Sequence, residues 1–295
     1  MTPIAVTIAG SDSSGGAGIQ ADLKTFSALG AYGASVITAL TAQNTLGVHA
    51  IHDVPADFVR AQIDSVFSDL AVRAVKIGML SQPDVIETVA EGLDDYGIEN
   101  IVLDPVMVAT SGDALITEEA VEVLRAVLIP RALIITPNLA EAARLLETAQ
   151  AEDEEDMAEQ AAALLELGPR AVLLKGGHGK GAESVDIYFD GEEPVRLASP
   201  RVASANTHGT GCTLSSAIAA GLSHGLDLLR VVAHSKAYVT QAIAESGRLV
   251  VGAGHGPVHH FHAIWGRVAM FGIEPGEAEH SGPLPFPSVG HIEDL

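Results

Sequence analysis

The chain of 295 residues carries 38 Asp and Glu against 16 Lys and Arg, a formal net charge of −22, and 47% of its residues are hydrophobic. This acidic balance excludes proteins that bind nucleic acid or anionic membranes, because both kinds of binding need basic clusters. No apolar run reaches the roughly 20 residues of a membrane span, we expect no signal peptide, and the single cysteine indicates a reducing, cytoplasmic location.

Apolar runs alternate with amphipathic segments along the chain, starting with the strand-like IAVTIA, a glycine-rich loop and the helical GIQADLKTFSALG. The same alternation continues through ASVITALTA, PADFVRAQIDSVFSDL, AVKIGM, QPDVIETVAEGLDDYG, NIVLDPVM, TEEAVEVLRAVLI and ALIITPN. Two further helices, LAEAARLLE and EDMAEQAAALLELG, precede the strand AVLLKGG, a hairpin of SVDIYFD and EPVRLAS, and two long helices from Gly211. Strands separated by helices predict an α/β fold with a mainly parallel central sheet covered on both faces.

The composition changes near the C-terminus, where the chain becomes rich in proline, glycine and acidic residues. We therefore expect one domain over residues 1–265 and an acidic tail over residues 266–295. In a parallel sheet, ligands bind beside the carboxyl ends of the strands, so functional residues are sought there.

The loop after the first strand, GSDSSGGAGIQAD, is rich in glycine but lacks the Gly-Lys-Ser/Thr ending of a Walker loop. Residues 16–21 match a GxGxxA dinucleotide pattern, although several residues separate them from the strand and the next strand ends in Gln43 rather than an acid. Glycines for a tight turn are the alternative. Asp22, early in the following helix, is placed to accept hydrogen bonds from a ligand.

Three later strand ends carry polar residues. Asp104 ends one strand and could hold a hydrated metal ion, since hard cations prefer oxygen ligands, although a structural Asp-Pro stop is equally compatible. Asn138 and Glu141 share one face of a first helical turn, where they also fit a capping box. Lys175 ends a buried strand and could bind an anion or pair with a neighbouring acid.

The stretch NTHGTGCTLSSAIAAGL places a small-residue loop before an apolar helix. Free backbone N–H groups at a helix N-terminus form an anion site, and glycines such as Gly209 and Gly211 allow close approach of a phosphoryl group. The only cysteine, Cys212, lies at this junction. The helix dipole predicts a lowered pKa for its thiol, which makes Cys212 a candidate proton acceptor or polar anchor. A small buried apolar side chain is the alternative.

Taken together, these motifs closely resemble the hydroxymethylpyrimidine/phosphomethylpyrimidine kinases of thiamine biosynthesis, a branch of the ribokinase-like superfamily. The matching segments are TIAGSDSSGGAGIQADLKTFSALGAYGASVITALTAQNTLGV, KIGML, VLDPVM, IITPNLAEA, LLKGGH, NTHGTGCTLSSAIAAGL and GHGPVHHFHAIW, spanning Ile4 to about Trp265. The resemblance implies a three-layer α/β/α kinase domain, a homodimer, and MgATP-dependent phosphorylation of 4-amino-5-hydroxymethyl-2-methylpyrimidine and then of its monophosphate.

The resemblance also implies roles for residues at matching positions. Pyrimidine-binding positions would be Gly10, Asp22, Gln43, Met79 and Val106. ATP-binding positions would be Asn138, Lys175 and Thr210, and Mg²⁺ would be held through Asp104 and Glu141. The catalytic group would be the anion hole of Gly209, Thr210, Gly211 and Cys212, together with Lys175. Many members of the superfamily carry Asp where Cys212 stands, and we expect Cys212 to take the hydroxyl proton in the first phosphorylation and to matter less in the second.

Other interpretations stay open. A pyridoxal kinase of the same branch would act on a similar flat ring with a hydroxymethyl group, and a non-catalytic sensor would not need the complete phosphate-transfer set. The acidity fits either a solubilising surface or a salty cytoplasm, where screening at about 1 M salt acts within roughly 3 Å. The histidines from His255 to His262 could bind a metal, but a structural role is favoured. The segment SGDAL after Met107 is a candidate loop to close the site.

Overall fold

A single mixed sheet organises the chain. The computed structural model describes residues 1–108, 115–177 and 181–265, and within these ranges nine strands form this sheet. The strands are β1 Ile4–Asp12, β2 Tyr32–Asn44, β3 Gly47–Asp53, β4 Ala74–Ile77, β5 Ile101–Leu103, β6 Ile134–Ile135, β7 Val172–Lys175, β8 Glu183–Phe189 and β9 Val195–Pro200. Their order is β3-β2-β1-β4-β5-β6-β7-β8-β9. The tail at 266–295 and most of the SGDAL segment lie outside the described residues.

The strand directions confirm the predicted mainly parallel sheet. Strands β2, β1, β4, β5, β6 and β7 pair in parallel. At one edge β3 pairs antiparallel with β2, and at the other β8 and β9 form the predicted antiparallel hairpin next to β7. The edge strand β3 was not predicted from the sequence.

Helices cover both faces of the sheet, which gives three layers. In the described part of the chain the α-helices are α1 Gly18–Ala28, α2 Ala56–Phe67, α3 Pro83–Asp95, α4 Glu118–Val123, α5 Leu139–Leu146, α6 Glu154–Leu165, α7 Thr210–Ser223 and α8 Leu228–Ala244. Helices α2 to α6 bury their apolar side chains in one core on one face. Helices α1, α7 and α8 contribute to a second core. The predicted α/β/α architecture is therefore confirmed, and none of the described helices could cross a membrane.

Local sequence explains where several helices begin and end. Helix α3 starts with Pro83 at its first turn, where the missing N–H costs no hydrogen bond. Helix α8 is capped by Asp227, whose side chain accepts a hydrogen bond from the backbone of Arg230. The predicted helix TEEAVEVLRAVLI is regular only to Val123, then continues as a π-helical turn, Leu124–Leu128, and a 3₁₀ turn, Ile129–Arg131.

The parallel strands place their carboxyl ends, and the candidate site residues that follow them, at one edge of the sheet. Asp12, Asp104 and Lys175 lie at or just beyond the carboxyl ends of β1, β5 and β7. Helix α5 starts after β6 and α7 starts after the β9 connection, so both N-termini face the same edge as these strand ends. The fold thus gathers residues that are distant in sequence around one cavity.

Candidate active site

A cavity of about 640 Å³ lies at the carboxyl edge of the sheet. Every predicted site residue except Asp22 lines it: Gly10, Gln43, Met79, Asp104, Val106, Asn138, Glu141, Lys175, Gly209, Thr210, Gly211 and Cys212. This volume is within the range of small-molecule sites in enzymes, and the walls combine apolar side chains with a few polar groups, as such sites do. The predicted residues therefore meet at one place.

One end of the cavity suits a flat heteroaromatic ring. A side chain at Gly10 would place its Cβ 2.7 Å from Cε of Met79, so glycine keeps this wall open. The Gln43 side chain accepts a hydrogen bond from the Thr41 hydroxyl at 3.0 Å. Its backbone is held by Ser13, whose Oγ accepts from the Gln43 N–H at 2.8 Å and donates to the Gln43 carbonyl at 2.8 Å. The Thr41 hydroxyl also lies 2.8 Å from the Ser11 carbonyl, so the firmest contacts of Gln43 are those of its backbone.

Asp22 has a different setting from the expected one. Its side chain is fully buried and does not line the cavity. Its carboxylate accepts hydrogen bonds from Thr7 at 2.6 Å, from Ser216 at 2.6 Å and from Lys76 at 2.9 Å. These donors occupy both oxygens, so Asp22 is in this structure the partner of a buried lysine and does not form part of the cavity wall.

Lys175 and Asp104 form the polar centre of the other end. Lys175 Nζ lies 2.9 Å from Oδ1 of Asp104, and Thr136 donates to the same oxygen at 3.1 Å. Burial alone would raise the pKa of Asp104, but the charges of Lys175 and Lys76 outweigh it and hold that pKa below its usual value. Asp104 is therefore an anion at neutral pH, and Lys175 is a cation available to a ligand in the cavity.

The predicted capping box at α5 is confirmed. The Glu141 N–H donates to Asn138 Oδ1 at 2.9 Å, and the Asn138 N–H donates to Glu141 Oε2 at 2.7 Å. Burial raises the pKa of Glu141 to about 7; Lys175 opposes this rise, and the like charge of Asp104 adds to it. Two buried carboxylates that repel each other at one cavity wall suit a hydrated divalent cation, because its charge would relieve the repulsion.

The N-terminus of α7 lies at the cavity, where the sequence predicts an anion site. Gly209 precedes the helix with φ of 80°, a left-handed conformation that favours glycine. A Cβ there would collide with the carbonyl oxygen of Gly16, so the two loops pack backbone against backbone. The Thr210 N–H donates to the Thr207 carbonyl at 3.2 Å. The helix has no side-chain cap, so the N–H groups of Gly211 and Cys212, which line the cavity, are left for an anion.

The thiol of Cys212 corrects one expectation. Burial raises its pKa to about 11, although Lys76 and a hydrogen bond from the Gly18 backbone act in the opposite direction. The predicted lowering by the helix dipole is therefore wrong in this setting, since desolvation of a thiolate outweighs the local field. Cys212 is a neutral thiol at pH 7, which fits a polar anchor better than a proton acceptor.

Sequence reasoning missed several charged residues of the cavity. Lys76 is fully buried in β4 and lines the cavity, and a lysine within the otherwise apolar AVKIGM was a signal for it. Asp12 and His208 also line the cavity, with His208 Nε2 2.8 Å from Asp12 Oδ2. Asp12 also accepts hydrogen bonds from the N–H groups of Gly16 and Ala17. Those N–H groups are thus committed within the loop, which argues against the dinucleotide pattern as a pyrophosphate site.

The C-terminal histidines contact different partners. His259 packs edge-on against Trp265, and the ring of His262 lies against Tyr238. His260 Nε2 lies 3.2 Å from the Thr213 hydroxyl, and burial lowers the pKa of His260 to about 3. In the described ranges, no group of three or more His, Cys, Asp or Glu side chains has a geometry that could hold a metal ion.

Solved structures establish the class of protein. A Staphylococcus aureus pyridoxal kinase in complex with AMP-PCP and pyridoxal matches with a TM-score of 0.83 at 31% identity, covering 90% of this chain and 96% of its own. The chain thus has the fold of the ribokinase-like small-molecule kinases, as the sequence predicted. The family model for phosphomethylpyrimidine kinase matches residues 12–259, and the chain belongs to this family.

Relatives named for this family are more similar to the chain in sequence. The hydroxymethylpyrimidine/phosphomethylpyrimidine kinase of Rhizobium meliloti (strain 1021) is 60% identical over 265 residues, which is 90% of this chain and 99% of that protein. The phosphomethylpyrimidine kinase structure from Clostridium difficile 630 is 48% identical with a TM-score of 0.72, covering 81% of this chain and 98% of that one. The family resemblance inferred from the motifs is confirmed.

Proposed function

We propose that the protein uses MgATP to phosphorylate the hydroxymethyl group of 4-amino-5-hydroxymethyl-2-methylpyrimidine, and then phosphorylates the monophosphate to the diphosphate, in thiamine biosynthesis. The observation that carries this proposal is that one cavity is lined both by Gln43 with apolar neighbours and by Lys175, Asp104, Glu141 and the N-terminus of α7. Relatives up to 60% identical bear the name of both activities. A non-catalytic sensor would have no use for the second group of residues.

Phosphoryl transfer depends on positioning and on neutralising charge, and the cavity residues supply both. Lys175 and the N–H groups of Gly211 and Cys212 would face the phosphate oxygens, with Asn138 and Thr210 beside them. Asp104 and Glu141 would hold Mg²⁺, through water where direct contact is blocked. When bound, the ion would neutralise charge on the ATP phosphates. Gly10, Met79 and Val106 would enclose the pyrimidine while Gln43 hydrogen-bonds its amino group and ring nitrogen.

Asp22 and Cys212 take revised roles in this proposal. Asp22, which lies outside the cavity, pairs with the ammonium group of Lys76 instead of binding the pyrimidine ring. Cys212 anchors the acceptor group through a neutral thiol, since its raised pKa disfavours proton abstraction. An anchor acts alike in both phosphorylations, so Cys212→Ser is expected to slow the two steps by similar factors. A base would be needed only for the hydroxyl of the first step, and selective loss of that step would restore the original expectation.

The function is tested by measuring ADP release by the purified protein with MgATP. Hydroxymethylpyrimidine, its monophosphate and pyridoxal are each supplied as substrate in a separate assay. Turnover of both pyrimidines with little turnover of pyridoxal is expected. Pyridoxal kinase is the second candidate because pyridoxal kinase structures share the fold at TM-scores of 0.82 and 0.83, although at only 36% and 31% identity. Turnover of pyridoxal alone would select it. Parallel assays in low and molar KCl test whether the charge of −22 is a salt adaptation.

We infer that the protein forms the homodimer that the family resemblance implies. The hairpin of β2 and β3 projects from the sheet edge and exposes apolar side chains, with Leu40 47%, Leu46 66% and Ile51 40% exposed. An exposed apolar edge strand favours pairing with a second copy. Light scattering after size exclusion tests this, and Ile51→Lys is expected to shift the mass towards the monomer.

A further inference from the structure

The segment at residues 252–258, which carries the sequence GAGHGPV, touches two separate parts of the active site. At its start, the Gly254 N–H donates to Thr45 Oγ1 at 3.1 Å and the His255 N–H donates to the Thr45 carbonyl at 3.0 Å. Thr45 forms the turn between β2 and β3, immediately after the end of the strand that carries Gln43. The segment therefore holds the turn of the β2–β3 hairpin, whose Gln43 is proposed to bind the pyrimidine ring.

The end of the same segment holds the anion loop. The His208 N–H donates to the Gly256 carbonyl at 3.1 Å, and the Val258 N–H donates to the His208 carbonyl at 3.3 Å. These bonds make a short parallel bridge between His208 and Pro257, directly before Gly209 and the N-terminus of α7. His208 Nε2 in turn lies 2.8 Å from Oδ2 of Asp12, the last residue of β1. The segment thus fixes the position of the His208 backbone, which leads into the proposed phosphate site at the start of α7.

The segment is anchored where it leaves the active site. Val258 is fully buried, and the His259 N–H donates to the Ala242 carbonyl of α8 at 2.9 Å. The His260 carbonyl accepts a hydrogen bond from the Tyr238 hydroxyl at 2.6 Å. In the described part of the chain, the hydrogen bonds that reach residues 43–46 from outside their hairpin come from Ser13 and from this segment.

We propose that residues 252–258 form a brace that fixes the distance between the β2–β3 hairpin and the loop at residues 206–209 before α7. The residues of this brace would be positioning residues for phosphoryl transfer. The roles of Gln43 and Gly209 in this statement rest on the proposed function. The brace also gives a physical role to the GHGPVHH motif, whose histidines do not form a metal site in the described structure. Two of its glycines are required because a larger side chain would not fit. A Cβ at Gly254 would collide with the Thr45 carbonyl, and one at Gly256 would collide with the Asn206 side chain.

Three glycine substitutions test the brace. Gly254→Ala pushes on the hairpin turn, and we expect it to raise the KM for hydroxymethylpyrimidine about tenfold while the KM for ATP changes less than about twofold. Gly256→Ala pushes on the anion loop, and we expect it to lower kcat about tenfold with little change in the pyrimidine KM. Gly247→Ala is the matched control, because a Cβ there meets nothing within 4 Å, and it should change neither constant. A general loss of stability would not split KM from kcat in this way.

Amide hydrogen exchange tests the brace without relying on activity. If the segment transmits position, Gly254→Ala raises exchange at residues 206–209 and Gly256→Ala raises exchange at residues 43–46, the ends that each variant does not touch. Exchange confined to the substituted end, or equal effects from Gly247→Ala, would overturn the brace. A wild-type protein that turns over neither pyrimidine would overturn the proposed function alone. If Gly254→Ala does not fold, Thr45→Val removes the acceptor of the Gly254 N–H with little change of shape and is expected to raise the pyrimidine KM and exchange at 206–209 in the same direction.

Discussion

The buried pair of Asp22 and Lys76 makes the sharpest prediction about stability. Both side chains are fully buried, and Asp22 accepts hydrogen bonds from Lys76, Thr7 and Ser216. Asp22→Asn keeps the shape but removes the negative charge, and it turns an amide N–H₂ towards donors that need an acceptor. The ammonium of Lys76 would then be buried beside a neutral group.

Removing one partner of a buried ion pair costs about 3–5 kcal/mol, because the remaining charge is left uncompensated. For a domain of this size, that loss corresponds to a fall in Tm of roughly 10 °C. The double variant, Asp22→Asn with Lys76→Met, removes both charges and is expected to recover most of the loss. The non-additivity is the signature of the pair, since independent sites would add.

Urea unfolding followed by circular dichroism measures these differences for the two single variants and the double variant. Asp94→Asn is the control, because it removes an exposed partner of Arg131 at 2.7 Å and exposed pairs contribute little. The reasoning is refuted if Asp22→Asn unfolds at the same urea concentration as Asp94→Asn, or if the double variant loses as much stability as the two single variants together, or more.

Further predictions concern the thiol, the phosphate site and pH. Iodoacetamide is expected to alkylate Cys212 slowly at pH 7 and faster as pH approaches its pKa of about 11, and Lys76→Met should slow the reaction at pH 9 by removing the cation that favours the thiolate. In the coupled ADP assay, Lys175→Ala is expected to lower kcat by about 10²- to 10³-fold, because it removes a cation from the transferring group. Burial lowers the pKa of His260 from 6.5 to about 3, so its contribution to stability is complete above pH 6.5 and lost as pH falls towards 3. Through this group the free energy of unfolding should fall by about 2 kcal/mol from pH 7 to pH 5, and urea unfolding of His260→Phe at both pH values should lack that part of the slope.

The sequence was sufficient for most of the fold because the buried strands carry their own signal. Runs such as AVKIGM and AVLLKGG are mainly apolar on both faces, as is typical of central parallel strands, with Lys76 the exception in the first run. Strand β3 lacked such a signal, since most of GVHAIHD is exposed and its extended form depends on pairing with β2. Pairing between segments is a tertiary property, so periodicity alone did not reveal it.

Most of the residues singled out in the sequence line one cavity, but Asp12, Lys76 and His208 were missed and the surroundings of the residues were not predictable. The motifs led to the residues that line the cavity, with Asp22 as the exception. Asp22 forms hydrogen bonds with Lys76 and Ser216, which are 54 and 194 residues away along the chain. A local sequence pattern does not predict contacts over such separations. The pKa of Cys212 was predicted in the wrong direction for the same reason. A helix N-terminus is visible in sequence, whereas the desolvation that outweighs it is created by the packed fold.

The protonated state of the single thiol also bears on chemical durability. Peroxides attack thiolates, and a pKa of about 11 leaves only about one molecule in ten thousand with a thiolate at pH 7. With one cysteine in the chain, no resolving partner can form an internal disulfide either. The protein therefore has a sulfur atom in the wall of the cavity that is a poor target for oxidants, so its activity is expected to persist under oxidising conditions that inactivate enzymes with reactive cysteines.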